Sequence, residues 1–407
     1  MPSFSKVAAK NKKGYKWVCV ADGPPDPATG VRKQVARRGD TKDEAEARVN
    51  EAINKLKETT HDVKIIKKLK FDQVAQEWLE TYSRGKVKKS TIRIREKEIK
   101  ILNRYIAKTG IAEVTPRKHQ SILNNLFDEE YARSSIEGVH VTAGLIYKYA
   151  IKEKYRSDNP CTGAIIPEKK ETVEDIENDS IEQKYFTREE LADFFNVVQK
   201  HGIKDDTEIF YTLAFTGMRS GELCALKETD LNFKTNKLRI TKTLYNPDNN
   251  MKKFELTPPK TKGSIREFVV EDEIMDILKA HMRKQAKLKM KARMLTKDIL
   301  EEKFVFCRPN GYPYIQKTII NRMSRLLKQT TIKKDATPHI FRHTHISMLA
   351  ESGVDLPTIM RKVGHDDMDT TMKIYLHVTE KMQQNAVQKV QMSYSDLLQL
   401  SPIPQEM

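Results

Sequence analysis

The sequence predicts a multidomain, mainly α chain. A small N-terminal β-sheet plus helix domain precedes a helical bundle, and a mixed α/β, mostly helical domain fills the C-terminal half. Three observations carry that prediction. Strand-like alternation is confined to residues 12–38 and to short runs between 238 and 270. From Phe71, apolar residues recur at 71, 74, 75, 78, 79 and 82, a helical period. Helix start signals recur along the chain: the capping boxes Thr41-Lys-Asp-Glu44 and Thr187-Arg-Glu-Glu190, and the Thr-Pro pairs at 115–116 and 337–338.

Taken in order, Lys12–Val20 and Val31–Arg38 read as two basic strands joined by a Gly23-Pro-Pro-Asp-Pro turn. The Thr41 box starts a helix to about Lys57, closing a first domain at 1–60, and a polar linker follows over 58–70. Four helices then make a bundle over 68–165. They are the Phe71 helix, one capped by Ser90, one opened by Thr115-Pro116, and one from Ser134-Ser135 to about Lys154. Residues 166–183 are acidic and read as an interdomain linker. The last domain spans 184–390, with strands at 238–244, 254–257 and 265–270 and a very basic helix near 271–294. Thr379–Leu398 reads as helix, and 391–407 is left as a C-terminal tail.

A length of 407 residues suits two or three domains. The formal net charge of +17 favours a polyanionic partner, nucleic acid first. The four cysteines are scattered without a C-x-x-C pair, against a disulfide framework or zinc ribbon. No signal-peptide h-region or membrane-length apolar run is read, so a soluble cytoplasmic protein is expected, with no membrane partner.

The chemistry concentrates in two C-terminal stretches. Thr337-Pro-His-Ile-Phe-Arg-His-Thr344 sets His339 and Arg342 three residues apart, on one side of a helix with Thr337 as N-cap. Val363–His377 puts Gly364-His365 ten residues before Tyr375. An arginine with two histidines can bind and protonate a phosphate, and a nearby tyrosine can attack it. The His339–His343 spacing mimics a zincin's H-x-x-x-H, but Ile340 stands where the catalytic Glu belongs, so no zinc site is expected there. His343 and His345 read as packing residues or neighbours of the site.

These boxes resemble the tyrosine recombinase (phage integrase) family. Its signature is H-x-x-R, then G-H, then a tyrosine. Upstream, Thr216-Gly-Met-Arg219-Ser-Gly-Glu222 resembles the family's first arginine box, and Pro259-Lys260-Thr-Lys-Gly-Ser264-Ile-Arg266 its lysine hairpin. The resemblance implies a six-residue set. Arg219 and Arg342 clamp the phosphate, His339 is the general base, Lys260 is the general acid, His365 hydrogen-bonds the phosphate and Tyr375 is the nucleophile. Lys262 remains an alternative to Lys260. Glu222 is expected to orient Arg219, while Ser264 and Arg266 are structural or phosphate-adjacent. No cofactor, metal or ATP is called for, since a guanidinium pair can stabilise the transition-state charge.

The resemblance also implies a site-specific recombinase of a mobile element that forms a 3′-phosphotyrosyl intermediate on double-stranded attachment-site DNA. The first domain resembles an arm-type DNA-binding domain, with Lys13, Arg32, Lys33, Arg37 and Arg38 as candidate DNA contacts; Tyr15 is a further candidate, and Trp17 reads as core. The bundle resembles the core-binding domain, with Lys86, Lys88, Lys89, Ser90, Arg93 and Arg95 as candidate phosphate contacts. A tetramer in synapsis, an excisionase or a host DNA-bending protein are implied partners. The C-terminal tail docks either on its own domain or on a neighbouring protomer. A type IB topoisomerase and a non-catalytic DNA-binding regulator are the alternative readings.

Overall fold

The computed structural model describes residues 2–9, 13–25, 32–66, 69–170, 172, 181–259, 262–364 and 368–393. The chain separates into two compact units, Met1–Lys170 and Glu171–Met407, each described by itself. Among the described residues no helix is long and apolar enough to cross a membrane.

The first unit opens with an antiparallel sheet of β1 (Ser3–Ala8), β2 (Tyr15–Pro25) and β3 (Arg32–Gly39), in that order. Helix α1 (Lys42–Ile66) lies on one face, where Cys19, Val35, Ala45, Val49 and Ile53 form a small core flanked by Phe4 and Trp17. Half of the Thr41 box forms: Thr41 Oγ1 accepts from Glu44 N–H (3.1 Å), while the Glu44 carboxylate accepts from Asp40 N–H (2.7 Å), one residue before Thr41. Gly39 makes the tight approach possible, since a Cβ there would sit 2.5 Å from the Ala45 nitrogen. Two expectations change. The helix continues to Ile66 through the expected linker, since no Gly or Pro interrupts 42–66. The Gly23-Pro24-Pro25 segment extends β2 with an irregular register between Asp22 and Pro25.

The bundle comprises α2 (Phe71–Ser83), α3 (Lys89–Ile106), α4 (Pro116–Asp128) and α5 (Arg133–Lys152). Its core joins Phe71, Trp78, Leu102, Leu123, Ile146 and Tyr147, among others. Thr115 caps α4 as its sequence announces, accepting from Lys118 N–H at 3.2 Å. The other starts shift: Lys88 is the N-cap of α3, leaving Ser90 inside the first turn, and α5 begins one residue before Ser134.

The second unit starts with a 3₁₀ turn at Ile181–Lys184, then α6 (Arg188–His201), capped by the Thr187–Glu190 box. Next come α7 (Asp206–Thr216) and the short α8 (Ser220–Ala225). The expected strand at 238–244 is two strands with different partners. β5 (Lys237–Ile240) pairs with β4 (Leu231–Asn232) and β8 (Arg266–Val269), while β6 (Thr243–Tyr245) pairs with β7 (Glu255–Thr257). Helices α9 (Asp272–Leu295), α10 (Gln316–Leu327), α11 (Ile340–Glu351), α12 (Leu356–Val363) and α13 (Met368–Ser393) complete it. Phe186, Phe194, Phe210 and Phe341 meet at the centre of the main core, and each buried ring contributes about 1.5–3 kcal/mol. A smaller core of Ile346, Ala350, Ile359, Val363, Ile374 and Val378 binds α11, α12 and α13 together. Helix α13 begins well before Thr379, so Tyr375 lies inside it.

Candidate active site

The site is organised by a turn between two helices. Helix α7 ends at Gly217, whose φ of +60° is left-handed. Only glycine fits there, because a Cβ would also lie 2.8 Å from the His345 ring. The chain then reverses, burying Met218 and setting Arg219 at the N-cap position of α8. Glu222 on that helix accepts from Arg219 N–H (3.0 Å) and from its guanidinium (3.1 Å).

Glu222 is 4% exposed and serves a second arginine. Arg266, on β8, donates to its two oxygens at 3.2 and 2.9 Å. Burial on its own would raise the Glu222 carboxyl. The Arg266 charge and its hydrogen bonds, with Arg219 behind them, outweigh that and hold it below the usual range. Arg266 also donates to the carbonyls of Lys362 (2.8 Å) and Ser264 (3.1 Å), so it connects α12 to the lysine loop.

Arg342 projects from α11 and is 2% exposed. It donates to Gly217 O at 3.0 Å and to Gly364 O at 2.7 Å. Three residues further along α11, His345 directs Nδ1 at Ala214 O (3.1 Å); a carbonyl only accepts, so Nδ1 carries the proton. Burial first, then the Lys362 and Arg342 charges, push His345 down to about 3 against the lift from that bond, so the ring is neutral. Gly364 (φ +81°) ends α12 against the Gly263–Ser264 turn, where a Cβ would be 3.3 Å from Ser264 Cα.

Arg219, Glu222, Ser264, Arg266 and Arg342 therefore come together from three separate stretches of sequence. His339 is exposed, in the turn before α11 and not within it, so Thr337 and Pro338 open that turn and not the helix itself. Its ring meets His343 edge to face at 4.6 Å. Tyr375 is half-buried on α13, packed against the smaller core that α11, α12 and α13 share. Lys260 and His365 lie outside the described residues, as does the side chain of Lys262. Sequence reasoning gave no role to Gly217 or Gly364, although both stood in the quoted boxes; His345, expected as a packing residue or neighbour of the site, is buried against Ala214.

The candidate DNA contacts divide by environment. Arg32 and Arg38 are exposed on the sheet face away from α1; Arg37 and Lys13 are exposed elsewhere, and the Lys33 side chain lies outside the described residues. In the bundle Lys86 and Lys89 are exposed, and Lys88, Ser90 and Arg93 are half-buried. Arg95 differs from the expectation. Its guanidinium is turned inward and donates to Glu98 (2.8 Å) and Thr142 (2.7 Å), linking α3 to α5.

Comparison with known proteins gives the family. The phage integrase family matches residues 184–382. The integrase of Staphylococcus phage L54a is 29% identical over 352 residues, covering 80% of this chain and 94% of that protein. A prophage ps2 probable integrase of Lactococcus lactis is 31% identical over 324 residues, covering 78% and 82%. The chain belongs to the phage integrase family of tyrosine recombinases. This recombinase is a DNA strand-transferring enzyme, a site-specific recombinase of mobile elements. The Tn1549 transposon integrase, solved in complex with a circular intermediate DNA, shares the recombinase's fold (TM-score 0.60, 18% identity, 78% of this chain and 99% of that one).

Proposed function

We propose that this recombinase cuts and rejoins duplex attachment-site DNA through a covalent bond between Tyr375 and a 3′-phosphate. The Tyr375 oxygen attacks phosphorus and the bond from phosphorus to the 5′-oxygen breaks. Attack requires the phenol to lose its proton, and His339 takes it. Lys260, or Lys262 beside it, returns a proton to the leaving 5′-oxygen. Arg219 and Arg342 bear the charge that grows on the non-bridging oxygens, with His365 as a further donor. The phosphotyrosyl bond conserves the energy of the diester, so a 5′-hydroxyl from a partner strand reseals it without ATP.

One observation carries the reading: Arg342 is bonded to Gly217, two residues before Arg219, so both guanidinium groups are referenced to one turn. Glu222 and Arg266 then fix that turn against the lysine loop. The domains take matching roles: 1–60 grips arm-type sites, 68–165 and 184–390 close on the core site, and 391–407 contributes to assembly. Four chains act in one synapse, helped by an excisionase or a host bending protein, in a bacterial cytoplasm. The test is incubation with a nicked suicide substrate and, separately, with paired attachment sites. A covalent adduct with recombinant product supports the proposal. Relaxation without exchange, or binding without an adduct, contradicts it.

A further inference from the structure

Beneath α9, away from the arginines, Asp205, Glu208 and His281 bring one carboxylate oxygen each and one ring nitrogen within 4.8 Å of one another. The Asp205 and His281 side chains are fully buried. His281 Nε2 lies 2.9 Å from Val305 O, and a carbonyl only accepts, so Nε2 carries the proton. Nδ1 is then left facing Asp205 Oδ1 at 3.7 Å and Glu208 Oε1 at 3.6 Å. Neither distance is a hydrogen bond, and Asp205 Oδ1 and His281 Nδ1 are buried with no hydrogen-bond partner. The other Asp205 oxygen is committed to Tyr314 Oη (2.8 Å) and Gln285 Nε2 (2.9 Å), which fixes the carboxylate's direction. Lys204 stands 3.7 Å from that second oxygen, and Lys284 stands 3.7 Å from Glu208 Oε1 on the solvent side.

Three electron-pair donors thus converge. Buried groups of this kind are costly unless something positive satisfies them. A proton on Nδ1 would draw an oxygen in to about 2.7–2.9 Å. A zinc-class ion holds N and O ligands at about 2.0–2.2 Å, which places neighbouring ligands of a tetrahedron about 3.3–3.6 Å apart. The observed 3.6 Å lies at the upper edge of that range and 3.7 Å just beyond it, and both exceed a hydrogen bond. Gln285 and Val305, which contact Asp205 and His281, also border a cavity of about 520 Å³ under α9.

We propose that Asp205, Glu208 and His281 bind one divalent transition-metal ion of the zinc class. The ion ties the start of α7 to α9, the opposite end of α7 from Gly217 and Arg219. It is a structural site and takes no part in strand cleavage, so it stands whether or not the cleavage proposal does.

The test uses full-length protein, stripped with a chelator and titrated with Zn²⁺, and with Co²⁺ for its visible absorption. Glu208→Gln and His281→Gln are the variants; Glu208 is partly exposed, so its amide is compatible with folding, which circular dichroism checks. Expected are uptake of one ion at this site, a rise in unfolding temperature with Zn²⁺, and an affinity at least about tenfold weaker in each variant. No uptake overturns the proposal. So does uptake that persists unchanged in both folded variants, since that would place the ion elsewhere, for instance at His119, His140 and Cys161.

Discussion

Arg342 donates to the carbonyl of Gly217 at 3.0 Å, and this single bond fixes the second arginine of the site to the turn that presents the first. The other arm of the same guanidinium reaches Gly364 O at 2.7 Å, immediately before His365 in the chain. A planar fork is what lets one side chain hold two backbone turns at once.

Replacing that fork tests the arrangement. In Arg342→Lys the charge stays but at least one carbonyl loses its donor. Stability should fall by about 1.5–3 kcal/mol in thermal or urea unfolding. Cleavage of a suicide substrate should fall about 10²–10³-fold, with DNA binding in gel shift little changed.

The turn itself is the second target. Gly217→Ala adds a Cβ against His345 at a left-handed φ. The cost should be about 1–3 kcal/mol in unfolding free energy. Because the strain falls at the base of Arg219, the cleavage rate should drop more than the affinity for DNA.

His345 gives a pH signature. Its pKa is depressed from 6.5 to about 3 in the folded chain, by burial first. The unfolded chain therefore binds a proton that the native chain refuses, and stability falls as pH drops from about 6.5 towards about 3. His345→Asn keeps a donor for Ala214 O and removes the titration. Its unfolding free energy should depend less steeply on pH across that window, by up to about 1.4 kcal/mol per pH unit. His119, pushed to about 4 by burial and then by His140, contributes in the same sense and is unchanged in the variant.

Arg95 separates packing from DNA contact. Arg95→Met leaves the buried Glu98 without its cation and should cost up to about 3–5 kcal/mol of bundle stability. The salt dependence of DNA binding should keep its slope. Lys89→Ala, at an exposed position, should do the reverse, lowering that slope by about one with stability nearly unchanged.

The sequence marked candidate parts of this site more readily than their joints. Arg219, Arg342 and Tyr375 stand in short motifs where residue type and spacing already speak of phosphate chemistry. The start signals at Thr41, Thr115 and Thr187 act within three residues, so they were legible too. What joins the parts is not local. Gly217 O and Gly364 O are backbone groups with no signature of their own, and only folding brings them to Arg342. The split of 238–244 arises because β5 and β6 find different partners, which alternation along one strand cannot reveal. Arg95 looked like a phosphate contact because its neighbours are basic, while its partners Glu98 and Thr142 are set by how α3 faces α5. The Asp205–His281 meeting was hidden for the same reason.

The central claim is that one phenol becomes joined to DNA. It is tested most directly by Tyr375→Phe on a nicked suicide substrate, resolved by denaturing electrophoresis. The account predicts a variant that binds its site with wild-type affinity and yields no covalent adduct. A variant that still forms the adduct, or still joins DNA ends, would contradict it.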